Sequence, residues 1–289
     1  MTFAHRLVAV QAGVQSYLDA ALGPMGDPPV VQAMRHAVSG GKRIRAFLVI
    51  EGAAMLGVPA SQAMPAAAAI EAMHAYSLVH DDLPCMDDDD LRRGQPTVHV
   101  KWDEATAVLA GDALQTLAFE LLTDRVLGSA EVRIALVQGL ARAAGATGMV
   151  LGQALDIAAE TATLPLTLDQ IEQLQAGKTG ALIRWSAEAG AIIAGQDPAP
   201  LGRYAAALGL AFQIADDILD ATGTEAATGK RVGKDAGAGK ATFVSFLGLD
   251  GARTRAASLV AEAEAALAPY GDTAASLIAA ARYVIARDT

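Results

Sequence analysis

AAAAIEAMHAYSLVHDD, residues 66–82, is an alanine-rich run whose larger apolar residues recur at helical intervals and which stops at two aspartates. RYAAALGLAFQIADD, residues 203–217, repeats that plan 135 positions later (216 minus 81). A period near 3.6 with few alternating stretches argues for helices over strands. Two helices of the same polarity are easily set side by side in a bundle, where both acidic ends would point into one cavity. The expected fold is therefore all-α: a single large helical bundle around a central cavity, one domain over residues 1–289.

The rest of the chain agrees. Of 289 residues, 53% are hydrophobic but only 4% aromatic, so the apolar content is mostly small and aliphatic side chains, which suits closely packed helices. Short Gly/Pro breaks at 23–29 (GPMGDPP), 56–65 (LGVPASQAMP) and 195–200 (GQDPAP) punctuate the helices, and no low-complexity linker divides them. A net charge of -10 argues against nucleic acid as a partner. Much of that charge is local, in six aspartates between 81 and 90 and three in DDILD (216–220). The single cysteine, Cys85, excludes an internal disulfide and fits a reducing cytoplasm. The N-terminal run reads as an amphipathic helix rather than a signal peptide, and the uncharged stretch 53–70 as two successive helices, so no membrane span is expected.

The acidic clusters have the chemistry of hard-cation sites. Asp216 and Asp220 are four apart and share a helix face, where like charges repel unless a cation sits between them. Pro84 should end the helix after Asp81 and Asp82 and let the chain curl, so that Asp87 reaches the same ion as Asp81. Carboxylate-only ligands in an open arrangement suit Mg²⁺, which shares its remaining positions with water and substrate phosphates. An acidic run by itself reads equally well as a solvated loop. Basic segments alter that reading: GGKRIR (40–45) with Lys42 and Arg45 on one helix face, Arg92 and Arg93 after the first cluster, Lys178 in GKTG, and Lys230, Lys234 and Lys240 in glycine-rich company. Carboxylates flanked by ammonium and guanidinium groups are what a site needs to hold a polyphosphate through metals on one side and cations on the other.

The ordered set GGKRIR, HDDLPCMDDDDLRRGQPTVH, GQALD, GKTG, FQIADDILD and GKDAGAGKATF resembles the trans-prenyltransferases, most closely the bacterial farnesyl diphosphate synthases, from about residue 30 to the end. The resemblance implies a fold of the isoprenoid synthase type, a homodimer, and condensation of isopentenyl diphosphate with an allylic diphosphate. By that resemblance Lys42, Arg45, His74 and Arg93 hold isopentenyl diphosphate, and Arg92, Lys178, Lys230 and Lys240 hold the allylic diphosphate; Lys234 falls between matching positions. Asp81, Asp87 and Asp216 are implied as ligands of Mg²⁺, on the order of three ions, with Asp82 and Asp220 assisting and Mn²⁺ as the alternative metal. Thr179, Gln213 and the Lys178 carbonyl are implied to face the carbocation left by C–O cleavage. No general base stands out, and the released diphosphate itself is implied to take the proton.

Tyr76 lies five residues before Asp81, about 7.5 Å along a helix, with Ser77 next to it. A bulky side chain there would floor the cavity and stop elongation at the fifteen-carbon product. Geranylgeranyl or geranyl diphosphate synthesis on the same scaffold is distinguished only by this neighbourhood. A terpene cyclase would not need the grip of Lys42, Arg45 and Arg93, and a non-catalytic partner subunit would be expected to lack one aspartate motif. Segment 229–240 is expected to close over bound diphosphate.

Overall fold

A computed structural model of the chain describes residues 2–160, 166–222 and 242–286. Lys230, Lys234, Lys240 and the segment 229–240 lie outside the described residues. The described chain is helical apart from one two-residue hairpin, and it separates into two compact units, residues 1–137 with 192–195, and residues 138–191 with 196–289.

In the first unit, α1 (Phe3–Leu22) starts where the Thr2 hydroxyl accepts the His5 N–H, and α2 (Pro29–Ala37) starts on a proline, whose missing N–H costs nothing at that position. α3 (Ile44–Met55) and α4 (Ala60–Asp81) are the two helices expected across the uncharged stretch. Pro65 lies inside α4, near its first turn, rather than at the break, which falls at 56–59. Alanines 63 and 66–69 have no exposed surface, so α4 is covered all round at this level, and its small side chains let α3 and α6 (Glu104–Leu121) come close. α6 is capped by the Asp103 carboxylate, which accepts the Thr106 N–H at 2.6 Å. Between α4 and α6 lie the hairpin (β1 Leu91–Arg92, β2 Gln95–Pro96) and the short α5 (Val98–Lys101).

α7 (Ala130–Ala144) carries the chain into the second unit, followed by α8 (Met149–Glu160) and α9 (Leu168–Gln175), the latter opened by a reciprocal Thr167–Gln170 capping box. A five-residue π-helical turn, Ala176–Gly180, leads into α10 (Ala181–Ala194). α11 (Ala199–Thr222) packs along α12 (Phe243–Leu267), and α13 (Ala275–Ile285) completes the described chain. Tyr204 on α11 is fully buried and donates to the Leu277 carbonyl at 2.8 Å, so its one polar atom is satisfied inside the core.

Residues 130–159 are, as a run, long and apolar enough to cross a membrane. They fold as two helices of 15 and 12 residues separated by the turn at 145–148, each shorter than the roughly 20 residues a span requires.

Candidate active site

α4 ends at Asp81, and Pro84 lies in the turn just past its end. The chain then folds back: the Asp87 N–H donates to the Asp81 carbonyl at 2.8 Å, bringing the backbones of the two expected metal ligands together. Asp87 is exposed and Asp81 half-buried. Asp82 is placed differently. It is only 3% exposed, and its Oδ1 accepts from Arg92 Nε at 2.7 Å and Nη2 at 2.5 Å. Burial pushes the Asp82 carboxyl up against the pull of that guanidinium, while the carboxylate raises Arg92 above its ordinary value against the effect of burial.

Among the described residues no three carboxylate, imidazole or thiol groups converge into a ready-made metal centre. Mg²⁺ binds through as few as one or two carboxylates and completes its shell with water and substrate phosphate oxygens. A half-buried carboxylate next to an exposed one, joined by a backbone hydrogen bond, is a donor set of that kind.

The hairpin aims the two arginines. Arg93 and Gly94 are its central residues, at φ 53° and 73°, and a tight two-residue hairpin turn needs positive φ at both. Arg93 then donates to the Ser39 carbonyl at 3.1 Å and lies flat against Gly41. A Cβ on Gly41 would fall 2.7 Å from Arg93 Cζ, and the φ of 91° at this position is itself glycine's territory. Arg93, Arg92, Asp82, Gly41, Ser39 and Ala75 help to line a pocket of about 400 Å³.

Lys42 is not on a helix face with Arg45, as the spacing had suggested. Positive φ at Gly40, Gly41 and Arg43 makes a tight turn, and α3 begins only at Ile44. The exposed Lys42 precedes the helix, and the half-buried Arg45 lies in its first turn. The helix start is capped from a distance: the Glu71 carboxylate, on α4, accepts the Ala46 N–H at 3.0 Å through Oε1 and Arg43 Nη1 at 3.2 Å through Oε2. Arg43 also donates to Gln15 Oε1 at 2.9 Å and to the Val38 carbonyl. Glu71 and Arg43 are 3% and 4% exposed, so a buried ion pair holds the turn that presents Lys42 and Arg45.

His74 is one helical turn beyond Glu71. Burial, and then the charges of Arg45, Arg93, Arg92 and Arg43, hold its imidazole well below its usual pKa, so it is neutral and offers one donor and one acceptor. Burial also lowers Arg93, with Arg43 adding to the effect. Ser77 donates to the His74 carbonyl at 2.9 Å. The Tyr76 ring meets His80 edge-on, and burial, then the charges of Asp81 and Asp112, raise its hydroxyl pKa. The first unit thus brings together Arg45, His74, Arg92 and Arg93, together with Arg43, as one electrostatic group.

In the second unit Lys178 and Thr179 belong to the π-helical turn. Extra residues per turn widen the carbonyl spacing, and such turns recur at functional sites. Lys178 Nζ lies 2.5 Å from Asp156 Oδ2. Gly152 lets the turn pack: a Cβ there would lie 2.0 Å from the Lys178 backbone nitrogen. Asp216 and Asp220 are both half-buried on α11. Gln213 donates through Nε2 to Asp217 Oδ1 at 3.1 Å, and Asp217 Oδ2 accepts the Phe243 N–H at 2.8 Å. Asp217 is therefore a structural carboxylate that orients Gln213 and fixes the start of α12.

Glu71, Arg43 and Asp156 escaped the sequence reading. Glu71 had one signal, a single acid inside an otherwise apolar helical run; Arg43 had none, because its role depends on a left-handed backbone that the sequence does not advertise.

One unit carries a curled aspartate turn beside the guanidiniums of Arg92 and Arg93, and the other a lysine on a π-helical turn, groups whose charges suit the binding of a diphosphate. Residues 27–268 match the family described as polyprenyl synthetase, and the chain belongs to that family. It is 47% identical to the farnesyl diphosphate synthase of Escherichia coli, over 92% of this chain and 91% of that one. It is 43% identical to a chloroplastic geranylgeranyl pyrophosphate synthase of Catharanthus roseus, over 89% and 73%. The crystal structure of an FPP/GFPP synthase from Zymomonas mobilis in its apo form superposes with a TM-score of 0.89 at 45% identity, covering 98% of both chains. The protein is a prenyltransferase with the all-α isoprenoid synthase fold.

Proposed function

We propose that the chain condenses isopentenyl diphosphate with dimethylallyl and then geranyl diphosphate, releasing farnesyl diphosphate, and that both compact units serve this one reaction as a single domain. The observation that carries the reading is the Asp81–Asp87 turn beside Arg92 and Arg93, in a chain of the polyprenyl synthetase family. A homodimer in the cytoplasm belongs to the same reading.

Arg45, Lys42, His74 and Arg93 hold isopentenyl diphosphate, with Glu71 and Arg43 keeping their turn in place. Neutral His74 contributes a hydrogen bond rather than charge, which leaves the arginines to neutralise the diphosphate. Lys178, Arg92 and the basic residues Lys230 and Lys240 hold the allylic diphosphate. Asp81, Asp87 and Asp216, with Asp220 assisting, would hold Mg²⁺ or Mn²⁺, which would supply concentrated positive charge against the departing oxygens. Asp82 is committed to Arg92 and acts through it.

When the allylic C–O bond breaks, the diphosphate leaves with the electron pair, and fixed cations already in place stabilise that charge without reorganising. Thr179, Gln213 and the Lys178 carbonyl offer oriented dipoles to the carbocation. The alkene of isopentenyl diphosphate donates its π electrons to form the new C–C bond, and a proton then passes to the released diphosphate. Tyr76 floors the cavity and sets the product length.

Product analysis with dimethylallyl and isopentenyl diphosphates, with and without Mg²⁺, tests the reading. Farnesol after hydrolysis, formed only with the metal, is expected, and Tyr76→Ala should shift the products to longer prenols. No condensation product with metal present would refute the activity, and geranylgeraniol from the wild type would refute the farnesyl assignment.

A further inference from the structure

His80 precedes the first aspartate of its motif, and the reaction as described leaves it without a role. Its ring is nevertheless held at three points. Nε2 lies 3.0 Å from the Val108 carbonyl oxygen, and because a carbonyl only accepts, Nε2 must carry the proton. The ring also meets Tyr76, one turn back on α4, edge to face at 5.2 Å between centroids and 81° between planes. Its seat is a notch in α6: a Cβ on Gly111 would fall 2.1 Å from His80 Nε2 and 2.4 Å from Cδ2. Glycine in the middle of a helix is unfavourable relative to alanine, and the accommodated ring accounts for its presence in α6.

We propose that His80, seated against Gly111 and bonded to Val108, is the positioning residue that fixes the Tyr76 ring and thereby sets the length of the product. The inference rests on the reading of Tyr76 as the cavity floor. An aromatic side chain on a helix has two accessible χ1 wells, and a floor that swings between them would pass some chains. An edge-to-face contact of ordinary strength biases such a choice by roughly two- to tenfold. His80 can supply that bias because its own orientation is set by α6 rather than by solvent.

The experiment compares the prenols made by the full chain and by His80→Ala, Gly111→Ala, Tyr76→Ala and the double variant Tyr76→Ala/His80→Ala, each reported as a share of total product so that lost turnover does not mimic the effect. His80→Ala and Gly111→Ala should each raise the share of products longer than the wild-type one by several-fold. Tyr76→Ala should raise it further, and the double variant should match Tyr76→Ala. Gly111→Ala leaves the histidine in the chain and displaces it, so it tests the idea even if His80→Ala does not fold. Unchanged shares in His80→Ala and Gly111→Ala, with Tyr76→Ala lengthened, would overturn the positioning role and leave the floor standing. Unchanged products in Tyr76→Ala would overturn the floor and this inference together. A double variant longer than Tyr76→Ala would show that His80 meets the chain directly, and would also overturn it.

Discussion

Replacing Glu71 by glutamine keeps its shape and removes its charge. In the native protein one carboxylate oxygen accepts the Ala46 N–H at 3.0 Å and the other accepts Arg43 Nη1 at 3.2 Å, with both side chains almost fully buried. Breaking a buried pair by removing one partner costs about 3–5 kcal/mol, because the remaining charge stays desolvated. Glutamine can still accept the Ala46 N–H, and Gln15 and Val38 still accept from Arg43, so the lower end, about 3 kcal/mol, is expected. At about 2–4 °C per kcal/mol in a chain of this size, the unfolding midpoint should fall by roughly 6–12 °C. Trp102 lies in the unit that contains the Glu71–Arg43 pair and Trp185 in the other, so fluorescence in a Trp185→Phe background follows unfolding around the pair. The paired change Arg43→Met/Glu71→Leu, which removes both charges and fills the space, should recover much of the loss. It should not recover KM for isopentenyl diphosphate, because the turn presenting Lys42 and Arg45 is no longer held. A midpoint within 2 °C of wild type for Glu71→Gln, or a double variant with normal KM, would refute the clamp.

Protonation of His74 is suppressed in the folded state, so below the unfolded value of about 6.5 the unfolded chain takes up a proton that the native one does not. Its contribution is complete above that pH and is lost as pH falls toward the depressed folded value, at up to about 1.4 kcal/mol per pH unit; His74→Gln should flatten that part of a stability profile measured by urea unfolding. Gly152→Ala should displace the π-helical turn, since the new Cβ meets backbone atoms of residues 177 and 178, costing about 1–3 kcal/mol and raising KM for the allylic substrate more than for isopentenyl diphosphate; unchanged kinetics would argue against the turn as part of the site. Asp217→Asn should lower stability through the loss of a charged acceptor for the Phe243 N–H, by about 1–3 kcal/mol in denaturant titration, with metal dependence unaltered.

The helices were legible because their cause is local. Alanine-rich runs of helical period, broken by Gly/Pro clusters at 23–29, 56–65 and 195–200, gave the breaks after Leu22, Met55 and Ala194. The aspartate turn was legible for the same reason, since Pro84 disfavours continuation of α4 past the first aspartates, although Pro65 is accommodated near the start of the same helix. What escaped reading depends on partners remote in sequence. GGKRIR contains no capping residue of its own, so nothing in it fixes where α3 begins; the cap comes from Glu71, 25 residues on. Asp82 and Asp217 look like their neighbours in the motifs, but each is committed, one to Arg92 and the other to the first turn of α12. Spacing separates carboxylates by face and does not tell which face meets another helix.

Arg43 and Arg93 both stand in the left-handed backbone region, at φ 54° and 53°, which few side chains other than glycine and asparagine occupy readily. At Arg43 the buried bonds to Glu71, Gln15 and Val38 offset that cost, whereas at Arg93 thermal robustness and ligand grip make opposing demands. In a randomised library screened only for folding, Gly and Asn should accumulate at position 93, where exposure to solvent makes the lost charge tolerable. A screen for turnover should restore arginine there. The contrast between those two enrichment patterns would separate what the hairpin contributes to holding the chain from what it contributes to holding the substrate.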